Sequence, residues 1–110
     1  MNPTFTGVGK TTRMKHIFGG DGKAVMVAIN HGLGCGPISG IENMDELLKK
    51  LVGEKPDSLT LHKGIALRYM ERFAGEVPLI LKCTNVTRFL TPEETDIAQV
   101  EEALTLGSDA

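Results

Sequence analysis

The sequence predicts an α/β protein built from parallel βα repeats. Three observations carry that prediction. Ala24-Val25-Met26-Val27-Ala28-Ile29 is a continuous apolar run that stops at Asn30, His31 and Gly32, the pattern of a strand buried on both faces. Two further runs, 58–62 and 79–83, follow at intervals filled by segments with helical apolar spacing. A similar join closes each helical segment, as Leu51-Val52-Gly53-Glu54, Phe73-Ala74-Gly75-Glu76 and Leu104-Thr105-Leu106-Gly107. Strands that alternate with helices imply a parallel sheet with right-handed crossovers.

The elements follow in order. Residues 1–11 hold Pro3, Gly7 and Gly9 among small polar residues and read as a loose leader. Residues 12–18 fit one or two helical turns with Met14, Ile17 and Phe18 on one side, and Gly19-Gly20-Asp21-Gly22 is a turn. The first strand spans 24–30, and a glycine-rich loop covers 31–42. Asn43 then caps a helix, with Glu46 three residues on as in a capping box. Met44, Leu47, Leu48, Leu51 and Val52 make its apolar stripe, and Gly53 is its expected left-handed stop.

The second strand is 58–62, with a turn at Lys63-Gly64. A helix over about 65–74 presents Ile65, Leu67, Met70 and Phe73 and ends at Gly75. The third strand is 79–83, followed by a long polar loop over 84–95. Asp96 and Gln99 resemble another capping box for a helix carrying Ile97, Val100, Ala103 and Leu104, which Gly107 ends. Ser108-Asp109-Ala110 reads as the start of a fourth strand.

Composition narrows the function classes. The 110 residues suit one small domain, and 41% hydrophobic residues suffice for a core. The net charge of −2 and the lack of a long basic run argue against a nucleic-acid groove. No apolar stretch approaches the roughly 20 residues of a membrane span, and no secretory h-region opens the chain. Two separated cysteines, Cys35 and Cys83, are no disulfide framework, and a reducing cytoplasmic setting is expected.

In α/β sheets the chemistry sits just past the carboxyl ends of the strands. Asn30 and His31 stand at that point and are the candidate catalytic pair. Asn30 is suited to hold a substrate hydroxyl and His31 to orient a phosphate or carbonyl; the alternative is that both only bond local backbone. His62 and Lys63 hold the equivalent place after the second strand and are candidate substrate-binding residues, Lys63 as a point charge for an anion. Arg88, in the polar loop after the third strand, is a candidate for a substrate phosphate. Lys82, within the third strand, would need a buried, neutral amine to attack a carbonyl, and reads better as a lysine that points to the sheet's mouth or pairs with an acid.

Two other readings are weaker. Gly9-Lys10-Thr11 suggests a P-loop, but Thr4 stands where the motif needs its first glycine. His31, Cys35, His62 and Cys83 all fall at or past strand ends, where two nitrogens and two sulfurs would suit zinc. Their spacing matches no compact zinc motif, so no metal and no cofactor is assigned.

Arg13…Ile17-Phe18, Gly22-Lys23, the strand ending Asn30-His31-Gly32, and Gly36-Pro37…Gly40 together resemble the opening of the archaeal-type class I fructose-bisphosphate aldolases. They resemble equally the aminodideoxyheptulosonate synthases and the thiolase of phosphorylated autoinducer breakdown. Leu61-His62-Lys63-Gly64-Ile65 is similar to the end of that family's second strand, and Val100–Leu104 with Gly107–Ala110 to the entry into its fourth. The resemblance covers nearly all of the chain after the leader.

It implies a TIM (β/α)₈ barrel of about 250 residues, of which this chain would supply the first three units and the start of strand four. Residues 1–22 would then be a leader with a short helix and 23–110 a partial barrel. The implied activity is that of an aldehyde-lyase working through a lysine imine on small phosphorylated sugars or keto compounds. The family's imine lysine lies on its sixth strand and its phosphate loops follow the seventh and eighth, so this segment alone is expected to be inactive. Where the family's first-strand motif reads Asp-His-Gly, this chain has Asn30, and an amide is no general base. A small phosphorylated substrate and a homo-oligomer are the expected partners. A βα module that assembles with other chains is the structural alternative, since a partial barrel leaves unpaired edges.

Overall fold

The computed structural model describes residues 3–86 and 93–110. Its centre is a three-stranded parallel sheet of β1 (Met26–Ala28), β2 (Ser58–Leu61) and β3 (Leu79–Leu81), in spatial order β1-β2-β3. The predicted strands are all present and parallel, but shorter than the apolar runs. Helix α3 (Met44–Gly53) connects β1 to β2. Helix α4 (Lys63–Tyr69) and a 3₁₀ turn (Glu71–Phe73) connect β2 to β3.

Strands laid down in sequence order, each joined by a right-handed crossover, place the connecting helices on one side of the sheet. The core reflects this. Leu59, Leu61, Leu79 and Leu81 form one buried cluster with Met44, Leu48 and Val52 of α3 and Ala66 and Met70 next to or on α4. Leu48, Leu59 and Leu61 are completely buried. A doubly wound sheet would need a reversal of strand order to put helices on both faces, and the described strands contain none.

Because side chains alternate along a strand, the opposite face is set by the same register. Ala28 pairs with Thr60 and Thr60 with Ile80, forming one row of that face. This corrects the expectation that β1 is buried on both faces: Met26 is 48% exposed and Val25 68%. β1 is an edge strand with only its helix-facing side covered, and Ile29 is buried there at 6% exposure.

The helix ends follow the capping chemistry in part. Asn43 Oδ1 accepts from the Glu46 N–H at 3.3 Å, as the capping box predicts. Gly53 is not left-handed; α3 runs through it, and the positive φ falls on Lys55 (51°). Gly75 and Gly107 do take the left-handed conformation, with φ of 80° and 72°.

Two further expectations are corrected. The leader is mostly helical: α1 spans Pro3–Ile17, with proline tolerated in the first turn, where its missing N–H costs nothing. Gly9-Lys10-Thr11 lies inside that helix, so it forms no phosphate loop. Val8 and Met14 remain exposed while Ile17 is buried, so packing holds α1 at its end. Within the glycine-rich loop, His31–Cys35 form a short helix, α2.

The polar loop contains an antiparallel hairpin, β4 (Thr84–Val86) with β5 (Glu94–Asp96). Asp96 therefore belongs to a strand and caps nothing. The last helix, α5, is Val100–Thr105, and the Gln99 N–H at its start donates to the Glu102 carboxylate at 2.8 Å. The N–H groups of Ile97 and Ala98 both donate to the Cys83 carbonyl, at 2.8 and 3.2 Å, returning the chain to the end of β3.

After α5 the sheet resumes. The Asp109 N–H donates to the Leu79 carbonyl at 2.7 Å, and the Leu81 N–H to the Ala110 main-chain oxygen at 2.8 Å. Residues 108–110 thus lie along β3, where a fourth strand was expected. His16 Nδ1 on α1 meets the Asp109 carboxylate at 2.6 Å, tying the first helix to this segment.

Candidate functional site

Parallel strands in register end at a common level, so their first polar residues form a row. The bond from the Ile29 N–H to the Thr60 carbonyl (3.1 Å) and that from the Lys82 N–H to the Leu61 carbonyl (2.8 Å) carry the register past the strand ends. One residue on, Asn30, His62 and Lys82 fall side by side on the face away from the helices. Of these, Asn30 and His62 are predicted from the sequence as site residues, and Lys82 is expected to point to the mouth of the sheet or to pair with an acid.

Asn30 is half-buried and precedes α2, yet its side chain makes no capping bond to that helix. His31 begins α2 and is exposed, one step beyond the row.

His62 is 6% exposed. Its Nδ1 lies 3.3 Å from the Lys82 carbonyl oxygen. A carbonyl only accepts, so Nδ1 carries the proton of that bond. Nε2 is buried and has no hydrogen-bond partner among the described residues. Buried polar atoms are nearly always satisfied, so this nitrogen stands out within the row.

Lys82 Nζ lies 3.2 Å from the Thr84 hydroxyl and 3.5 Å from the Glu94 carboxylate. Glu94 also accepts a hydrogen bond from the Thr84 hydroxyl. That bond, with the nearby Lys82 charge, holds the Glu94 carboxyl below its ordinary value. The group is a product of the hairpin: β4 brings Thr84, and β5 pairs back to bring Glu94 across from Val86. The alternation from Ile80 to Lys82 signals which face the lysine takes, but nothing in the sequence announces Glu94.

Lys63, the first residue of α4, faces the helix layer instead. Its Nζ is 2.8 Å from Glu102 on α5, and both side chains are about half exposed. Arg88 lies outside the described residues. His31, Cys35, His62 and Cys83 are not brought together, for among the described residues no three His, Cys, Asp or Glu side chains are grouped to hold a metal ion. Cys35 and Cys83 are free thiols. A cavity of about 750 Å³ opens elsewhere, between α4, the 3₁₀ turn and α5, lined by Leu67, Met70, Phe73 and Leu106 and by none of the row residues.

A one-sided βα sheet whose polar row tops the carboxyl ends is the opening of a (β/α)₈ barrel, with the row on its inner rim. Comparison with known proteins agrees. The model of the DeoC/LacD family aldolases matches residues 24–110, and the chain belongs to that family.

Among individual relatives, the class 1 fructose-bisphosphate aldolase of Thermoproteus tenax is 34% identical over 107 residues, covering 91% of this chain and 40% of the relative. The 2-amino-3,7-dideoxy-D-threo-hept-6-ulosonate synthase of Halobacterium salinarum is 28% identical over 108 residues, 96% of this chain and 40% of that protein. A solved Schiff base-forming fructose-1,6-bisphosphate aldolase superposes with a TM-score of 0.72 at 30% identity, over 90% of this chain and 41% of that one. An archaeal fructose 1,6-bisphosphate aldolase gives 0.70 at 32% identity with the same coverage. The chain thus spans about 40% of the length of these relatives. Its described helices include none long and apolar enough to cross a membrane.

Proposed function

We propose that these residues form the first three βα units of a class I aldolase that makes or breaks a carbon–carbon bond beside a ketone through a lysine imine. The substrate would be a small phosphorylated sugar or a related keto compound. The single observation that supports this most is the row Asn30–His62–Lys82 on the sheet face left free of helices, at the level where barrel enzymes place their chemistry. Asn30 and His31 are the reaction-centre pair in this reading. His62, Lys63 and Arg88 are its substrate-binding residues, with Lys63 shared with Glu102 in the absence of substrate. Asn30 orients a hydroxyl and moves no proton. Cys35 and Cys83 fit a reducing, cytoplasmic setting.

The 110 residues alone perform no turnover in this reading, because the family resemblance implies an imine lysine on a later strand. Borohydride reduction in the presence of a ketone phosphate tests it. Mass analysis of the 110-residue chain should find no covalent adduct. An adduct, at Lys82 above all, would overturn the assignment of the imine lysine to a later strand.

A second reading rests on the exposed margin of β1, where Val25 and Met26 are 68% and 48% exposed. Unpaired strand edges recruit other strands, and a second copy of the chain is the simplest partner. Native mass spectrometry separates the cases: a dimer supports the homo-oligomer, and a monomer that stays folded at micromolar concentration removes it.

A further inference from the structure

We propose that Lys82, with the Thr84 hydroxyl, is an anion site for a phosphate monoester, now filled by the protein's own Glu94 carboxylate. The proposal rests on the aldolase reading only for the kind of molecule that carries the phosphate.

Three observations lead to it. First, the donors are already convergent. Lys82 Nζ stands 3.2 Å from the Thr84 oxygen, and both groups address the same carboxylate. A carboxylate that accepts from a hydroxyl and faces an ammonium is a stand-in for any anion of similar reach.

Second, the stand-in is replaceable. The Glu94 side chain is 51% exposed and the Lys82 side chain 37%. Exposed ion pairs at this separation contribute little, because water screens them and ordering two long side chains costs entropy. A phosphate monoester carries about −1.5 to −2 charges near neutral pH and three acceptor oxygens. It engages ammonium and hydroxyl together more strongly than one carboxylate does.

Third, the base of the site is fixed. His62 is buried beside Lys82 in the row and its Nδ1 donates to the Lys82 carbonyl at 3.3 Å, so the lysine leaves the sheet at a set point. Asn30 lies two strands away on the same rim, where its amide meets the non-phosphate part of a ligand bound across the row.

The test is an NMR titration of the 110-residue chain with methyl phosphate and, separately, acetate, read at the amides of Lys82, Cys83 and Thr84. Methyl phosphate should bind and acetate should bind several-fold more weakly. Lys82→Gln should weaken methyl phosphate about tenfold, and Glu94→Gln should tighten it by removing the competitor. Equal affinity in Lys82→Gln would overturn the site. Weaker binding in Glu94→Gln would overturn the competitor role, and equal affinity for acetate would overturn the preference for phosphate. None of these readouts involves an imine, so they stand or fall apart from the borohydride experiment.

Discussion

The Lys63 ammonium sits 2.8 Å from the Glu102 carboxylate, and the same carboxylate accepts the Gln99 N–H at 2.8 Å. One side chain thus both starts α5 and fastens it to the first residue of α4. These bonds, the Lys63 one foremost, hold the Glu102 carboxyl below its ordinary 4.5. A carboxyl lowered on folding stabilises above its unfolded value and loses that contribution as pH falls through the folded one. Protection of the α5 amides from hydrogen exchange should therefore decline as pH drops below 4.5, after correction for intrinsic exchange. Glu102→Gln should flatten that pH response.

Gly34 lets α2 and the hairpin touch. A Cβ at this position would stand 2.8 Å from the Val86 carbonyl oxygen and 3.3 Å from Asn85 Oδ1. The nearer atom is backbone and cannot swing aside. Gly34→Ala should cost about 1–3 kcal/mol of stability by urea denaturation. Gly53→Ala, where a Cβ meets nothing within 4 Å, should be neutral or stabilising by up to about 1 kcal/mol.

Gly107 ends α5 with a φ of 72° and turns the chain into the segment beside β3. An L side chain in that conformation costs about 1–2 kcal/mol. Gly107→Ala should lower stability by that amount and raise exchange at the Asp109 amide, which bonds Leu79.

Leu59 is completely buried between β2 and the helices. Leu59→Ala should remove about 2–5 kcal/mol. In a domain this small, where the total is commonly about 5–15 kcal/mol, circular dichroism should report a large drop in Tm or outright unfolding.

What could be read in the sequence follows the range of the forces involved. The apolar runs at 24–29, 58–62 and 79–83 locate the strands because burial against helices acts residue by residue. Asn30 and His62 were recognisable because each interrupts such a run. α2 was not, since Gly32 and Gly34 lower helix propensity while the constraint that favours Gly34 comes from Val86, 52 residues along the chain. The hairpin escaped for a related reason: Thr84, Asn85 and Val86 pair with residues 94–96, across a polar stretch without a tight-turn signal. With the hairpin unseen, Glu94 had no visible connection to Lys82. The alignment of Asn30, His62 and Lys82 likewise depends on ladder register, which a one-residue slip would have reversed.

Among the described residues, β1 pairs on one margin only. The Val25 N–H meets the Asp57 carboxylate at 2.6 Å and the Asp57 N–H meets the Val25 carbonyl at 2.9 Å, both toward β2. On the other side of the sheet, residues 108–110 bond to β3. In the proposed barrel, the free border of β1 would be sutured by a strand that lies outside these residues. Such a closure would pair segments far apart in sequence and carry a correspondingly large loop entropy. Substitutions at Val25 and Met26 in the whole barrel should accordingly slow its final folding step while leaving the earlier ones at their normal rate.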